Sequence, residues 1–207
     1  MNSSLIFLNG LALSAGLIIA IGAQNAFLLN RALRNQHHYA IALFCSLTDA
    51  SLICLGIFGV GALVQAQPNL LFWISCAGAV FLFIYGALAF KSATSKHAIK
   101  MEEGASEYSL TKAITVAASV SLLNPHCYLD TMVLVGGIST QYVGNEKIWF
   151  GLGAVSASFI WFFGLAWGAK WLMPLFKKPS AWRVLDGLIG IMMWSIAASL
   201  IAHISTM

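Results

Sequence analysis

Six stretches of about 20 or more mostly apolar residues run through this 207-residue chain, and a bilayer-spanning helix needs just such a segment. They cover approximately residues 5–29, 40–64, 70–90, 113–137, 148–171 and 184–204. Only 9% of the residues are charged, against about 25% in a soluble domain. The chain therefore reads as an all-α integral membrane protein with six transmembrane helices. The first stretch is too long for a signal-peptide core and lacks a basic flank, so it reads as a retained first span.

The net charge of +4 invites comparison with nucleic-acid binders, but its distribution argues otherwise. Arg31 and Arg34 lie in the first loop. Lys91, Lys96, Lys100 and Lys112 flank the third, and Lys170, Lys177, Lys178 and Arg183 the fifth; of the 11 basic residues only Lys147 falls in an even loop. By the positive-inside rule the odd loops are cytoplasmic and both termini lie outside. No nucleic-acid partner is expected; the surrounding partner is the lipid bilayer. Cys45, Cys54, Cys76 and Cys127 all fall within apolar segments without a Cys-x-x-Cys pair, as small packing residues do.

The chain divides around its longest loop. Residues 1–90 form a first three-helix repeat, 91–112 a cytoplasmic loop and 113–207 a second three-helix repeat. Ala50-Ser51-Leu52-Ile53 recurs as Ala157-Ser158-Phe159-Ile160. Trp73, Gly78, Tyr85 and Ala89 recur as Trp182, Gly187, Trp194 and Ala198, and Gly22-Ala23-Gln24 can be laid on Asn124-Pro125-His126. A repeat with an odd number of spans inserts its second copy upside down. Inverted repeats are a recurrent design of secondary transporters, with the substrate held near the midplane where broken helices meet.

Charge within the spans points the same way. An ionised carboxylate at the centre of a spanning helix costs roughly 2.5–3.5 kcal/mol on insertion scales, yet Asp49 and Asp130 both lie deep in apolar segments. Ser46 and Gly56 share a small, polar stripe with Asp49. A carboxylate there can alternate between a proton and a cationic substrate. In Leu123-Asn124-Pro125-His126-Cys127-Tyr128-Leu129-Asp130, Pro125 lacks an amide hydrogen and should break the helix. The freed carbonyls then need protein or water in a cavity. His126 and Asp130, four apart, should share one helical face. The adjacent amides Gln24 and Asn25 follow Gly22, which permits local unwinding. The structural alternatives are a kink with an internal His126–Asp130 hydrogen bond, and packing hydrogen bonds for Asp49 and the amides. Asp186, three residues after Arg183, reads as an interfacial ion pair with it. The runs Gly56-x-x-Gly59-x-Gly61 and Gly164-x-x-x-Gly168 read as close helix contacts. None of these features implies an enzyme, a cofactor or a metal.

In these residues the chain resembles the LysE/ArgO family of basic amino-acid exporters. The resemblance rests on Gly22, Gln24 and Asn25, on Thr48-Asp49, on the element from Leu123 to Asp130, and on the run from Ser156 to Gly164. His126 and the short third loop are most similar to the arginine-exporter branch. The family pattern has proline where this chain has Ala23, so the first break rests on Gly22 and the amides. The resemblance implies export of L-arginine, and also L-lysine, across a bacterial inner membrane. Asp49, Asp130, Gln24, Asn25 and Asn124 would bind substrate, and Asp49, Asp130 and His126 would couple its movement to protons by antiport. A metal-ion exporter is the nearest alternative and would call for several converging thiolates or imidazoles. A thiol relay would need a partner for Cys127, and the matching position in the first half is Asn25. The state of assembly, monomer or homo-oligomer, is left open.

Overall fold

A computed structural model describes residues 2–19, 22–59, 68–94, 108–172, 174 and 179–204. Residues 95–107 of the central loop, the second predicted span beyond Gly59 including Gly61, and Lys177 and Lys178 lie outside the described residues.

All regular secondary structure among the described residues is helical. In chain order the helices are α1 (Ser3–Ile18), α2 (Ala23–Leu33), α3 (His38–Ile57), α4 (Pro68–Thr94), α5 (Leu110–Leu122) and α6 (Pro125–Tyr128). A π-helical segment, Leu129–Val135, then runs into α7 (Gly136–Ile138) and a 3₁₀ turn, Ser139–Gln141. Two long helices, α8 (Asn145–Leu172) and α9 (Pro179–Ile204), complete the order. Among the described residues α3, α8 and α9 contain stretches long and apolar enough to cross a bilayer, and a fourth crossing is made if α1 and α2 are one bent span.

Two interruptions separate helices near Gly22 and Pro125. Between α1 and α2 the axis turns by 79°. Gly22, extended at φ −115° and ψ −179°, caps α2 without a side-chain hydrogen bond. The turn forms although Ala23, not proline, opens the second helix. In the second half α5 ends at Leu122, and the side-chain Oδ1 of Asn124 accepts from the His126 backbone amide at 3.2 Å. Asn124 thus caps α6, whose first residue is Pro125, a position where a missing N–H costs nothing. The π-helical segment follows directly, a local widening common at functional sites.

Packing is set by glycines on two seams. Gly10 of α1 meets the backbone of Phe150 and Ala154 on α8, and Gly153 of α8 meets Phe7 and Leu11. A Cβ on Gly56 would stand 2.6 Å from the Met132 backbone, and one on Gly136 would stand 2.6 Å from the Gly56 carbonyl oxygen. Gly56 is thus a close contact, as the sequence suggested, whereas Gly164 and Gly168 have nothing within 4 Å of an added Cβ. Those two small residues instead open an apolar groove between α1 and α8. Elsewhere α3 packs on α5, α8 and the π-helical segment, α2 on α3, α5 and α8, and α4 along α9. Large apolar side chains such as Phe58, Ile160 and Trp171 face outward, as a lipid-facing surface requires.

Candidate functional site

The two breaks open into one cavity of about 290 Å³, close to the lower end of the range for small-ligand sites, roughly 300–1,000 Å³. Its lining includes Gly22, Gln24 and Asn25 from the first break, Asp49 from α3, and Asn124, His126 and Asp130 from the second. Every substrate and proton residue expected from the sequence therefore borders the same space. Residues 106 positions apart in sequence, Gln24 and Asp130, meet there because each break lifts the chain away from regular helix.

The polar groups form a connected set. Asp49 is 2% exposed. The Gln24 side-chain amide donates to its Oδ1 at 3.4 Å and to Ser121 Oγ at 2.9 Å. Gln24 Oε1 in turn accepts from the Cys127 thiol at 3.4 Å. Asn25 donates to the carbonyl oxygen of Ile18, the last residue of α1, at 2.8 Å and accepts from Trp161 Nε1 at 3.1 Å. One amide thus ties α2 to α3 and α5, while the other recovers a carbonyl freed by the α1 break and fixes α2 to α8.

Asp130 is more open than Asp49 and His126 is exposed. They are electrostatic neighbours, but among the described residues no hydrogen bond joins them. The expected shared α-helical face is altered because the chain passes from α to π geometry between them, which rotates Asp130 relative to an ideal i, i+4 partner. Asp49 also lies close enough to Asp130 to feel its charge.

Three contributors were not singled out from sequence. Ser121 and Trp161 orient the amides, and Ser158 is fully buried beside Asp49. Ser158 stands opposite Ser51 in the internal repeat, a signal that could have marked it. Trp161 falls within the Ser156–Gly164 run, but nothing in that spacing identifies Asn25 as its partner.

Asp186 departs from expectation. It is buried at 4% exposure and does not pair with Arg183. Its partner is Arg34 at 3.7 Å, supplemented by donors from Asn30 at 3.2 Å and Ser92 at 2.6 Å. Arg183 is exposed, so a side chain one turn away loses to groups from two other helices. Among the described residues, no three His, Cys, Asp or Glu side chains converge as metal ligands would.

Comparison with known proteins agrees with this arrangement. The arginine exporter protein ArgO of Serratia proteamaculans (strain 568) is 42% identical over 195 residues, covering 94% of this chain and 95% of the relative. Its namesake in Escherichia coli (strain K12) is 43% identical over 201 residues, 95% of each chain. That of Klebsiella pneumoniae subsp. pneumoniae is 41% identical over 205 residues, 97% of each. No solved structure matches the chain. The family described as LysE type translocator matches residues 15–203, and the chain belongs to that family.

Proposed function

We propose that this protein exports L-arginine, and also L-lysine, across the bacterial inner membrane in exchange for protons. The observation that carries the reading is the single cavity bordered by Asp49, Asp130, both helix breaks and the paired amides. A basic amino acid presents a cationic side chain, an ammonium and a carboxylate. The two aspartates suit the cations, since charge-assisted bonds to carboxylates are the strong ones. The amide-rich start of α2, capped by no side chain, suits the ligand carboxylate through the helix dipole. Gln24, Asn25 and Asn124 complete the polar lining. The high identity to proteins named arginine exporters supports arginine as the ligand.

The same reading takes the fold as six spans in two inverted repeats, 1–90 and 113–207, joined by the loop 91–112, with both termini outside. Exchanging the halves maps a contact of the first span with the fifth onto one of the fourth with the second. Both contacts exist, as α1 on α8 and as the π-helical segment on α3. The third and sixth spans map onto each other, and α4 and α9 pack together. This reciprocity supports the repeat.

Coupling follows from charge. Moving one net positive charge outward against an inside-negative potential costs about 2.3 kcal/mol per 100 mV. In the proposed cycle Asp49 and Asp130 release protons to take up substrate and regain them after its release, with His126 biasing Asp130. One proton returned per arginine moves no net charge; two draw on the potential. The test is counterflow of labelled arginine, lysine and metal ions in proteoliposomes. Arginine counterflow in the wild type, abolished by Asp49→Asn and by Asp130→Asn, is expected. If both variants kept the wild-type rate and pH dependence, the mechanism would be wrong; counterflow of metal alone would replace the substrate.

A further inference from the structure

A second polar cavity, of about 470 Å³, lies at the basic end of the molecule. Three stretches of chain run from one cavity to the other. From Asn25 α2 leads to Asn30, Arg31 and Arg34; from Asn124 the chain leads back along α5 to Val116 and Lys112; from Ile196 α9 leads back to Ile189 and Asp186. At 1.5 Å per residue, the nearer of these positions are separated by roughly 7–12 Å along the helices. Phe27, Val120 and Met193, all fully buried in one apolar cluster, occupy the interval. The two cavities are thus in line, with a single apolar layer between them.

The second cavity has walls of opposite charge. On one side is Asp186, held by Asn30 and Ser92. Its ion pair with Arg34, at 3.7 Å, is longer than a hydrogen bond. Arg34 does not depend on that contact: its Nε donates to Asn30 Oδ1 at 3.1 Å, and its guanidinium lies 4.5 Å over the Trp182 ring. On the other side Arg31 lies 3.7 Å over Tyr108 and donates to Gln36 at 2.8 Å, while its Nε is buried and has no acceptor among the described residues. Lys112 stands 5.5 Å from the same ring. A metal cation would meet three positive side chains here, and a simple anion would leave Asp186 unused. A zwitterion with a cationic tail uses both walls.

We propose that this cavity is a second binding site for a basic amino acid, in which the ligand's guanidinium or ammonium takes Asp186 from Arg34 and its carboxylate bonds Arg31 and Lys112. Its place on the basic side of the apolar layer makes it a staging site for substrate bound for Asp49 and Asp130. The inference rests on the arginine-export reading above.

Equilibrium binding of labelled arginine to the purified full-length protein in nanodiscs tests it. Two saturable sites per chain are expected. Asp186→Asn should weaken one of them roughly tenfold or more, the loss that follows from removing a charged hydrogen-bond partner. Asp49→Asn should remove the other and leave the Asp186 site. Arg34→Gln, which removes the competing cation, should tighten the second site and leave the first unchanged. A single wild-type site, lost with Asp49→Asn, overturns the proposal while the export reading stands. Two undiminished sites in a monodisperse Asp186→Asn protein also overturn it. Should Asp186→Asn fail to fold, the wild-type stoichiometry and the response to Arg34→Gln decide the matter. Absence of both arginine binding and arginine counterflow in the wild type overturns the export reading itself.

Discussion

Gly56 offers a sharp test of how the packing positions the carboxylates. It lies on α3, two turns after Asp49, and faces the π-helical segment that carries Asp130. A Cβ at Gly56 would sit 2.6 Å from Met132 Cα and 2.6 Å from the Met132 carbonyl oxygen. Carbon–carbon contacts are most favourable near 3.5–4.0 Å, so the two segments must part by about 1 Å, and a gap of that size forfeits a quarter to a half of each lost contact's attraction. Overpacking of this kind costs about 1–3 kcal/mol. Alanine recovers roughly 0.5–1 kcal/mol of helix propensity relative to glycine, leaving a net loss of roughly 0–2.5 kcal/mol, centred near 1, by those two figures. Gly164→Ala is the matched control. It is also mid-helix and has nothing within 4 Å of the added Cβ, so only the propensity gain applies. Thermal unfolding of both variants in detergent, followed by size-exclusion chromatography, should place Gly56→Ala below the wild type and Gly164→Ala at or above it. Arginine efflux should fall in Gly56→Ala alone. Equal midpoints for the two variants would refute the close seam between α3 and the π-helical segment.

Two further outcomes follow from the breaks. Asn124→Ala removes the cap of α6 and should cost about 0.5–2 kcal/mol, lowering the thermal midpoint and efflux together. Pro125→Ala should be milder, because its position is the first of a helix; the opposite ranking would show that proline, not the cap, makes the break. Trp161→Phe keeps an aromatic side chain, smaller than the indole, and deletes the donor to Asn25. Hydrogen bonds between membrane helices average about 0.6 kcal/mol, so arginine affinity should weaken roughly threefold, measured by equilibrium binding; an unchanged affinity would place Asn25 outside the ligand contact.

The all-helical character of the described residues was written in hydropathy, and the interruptions in two kinds of helix breaker. Apolar segments of spanning length can adopt little other than helix, because lipid offers backbone groups no partners. The second break was legible in Asn124-Pro125, where the cap and the missing N–H act on adjacent residues. The first was legible in Gly22 followed by two amides, and Ala23 shows that proline was dispensable to it. What hydropathy could not reveal is the π-helical turn. Seven consecutive residues, Leu129–Val135, contain nothing that distinguishes them from an α-helical run, and their widening arises where they pack against Gly56 on α3.

The candidate site was legible where burial itself is costly. Asp49 and Asp130 could be marked from sequence because a charge in a spanning segment demands a reason. Asp186 shows the converse. Arg183 lay one turn away and looked sufficient, yet a contact at i, i+3 on an exposed face is worth only about 0.2–0.5 kcal/mol. Asn30, Ser92 and Arg34, brought together by α2, α4 and α9, satisfy both carboxylate oxygens of a group that is 4% exposed. A buried charge left without such partners costs several kcal/mol, so the tertiary network outweighs the local pair by a wide margin. Local spacing therefore identifies partners only for carboxylates that stay in solvent; for a buried one the deciding residues are those that the helix packing delivers to it.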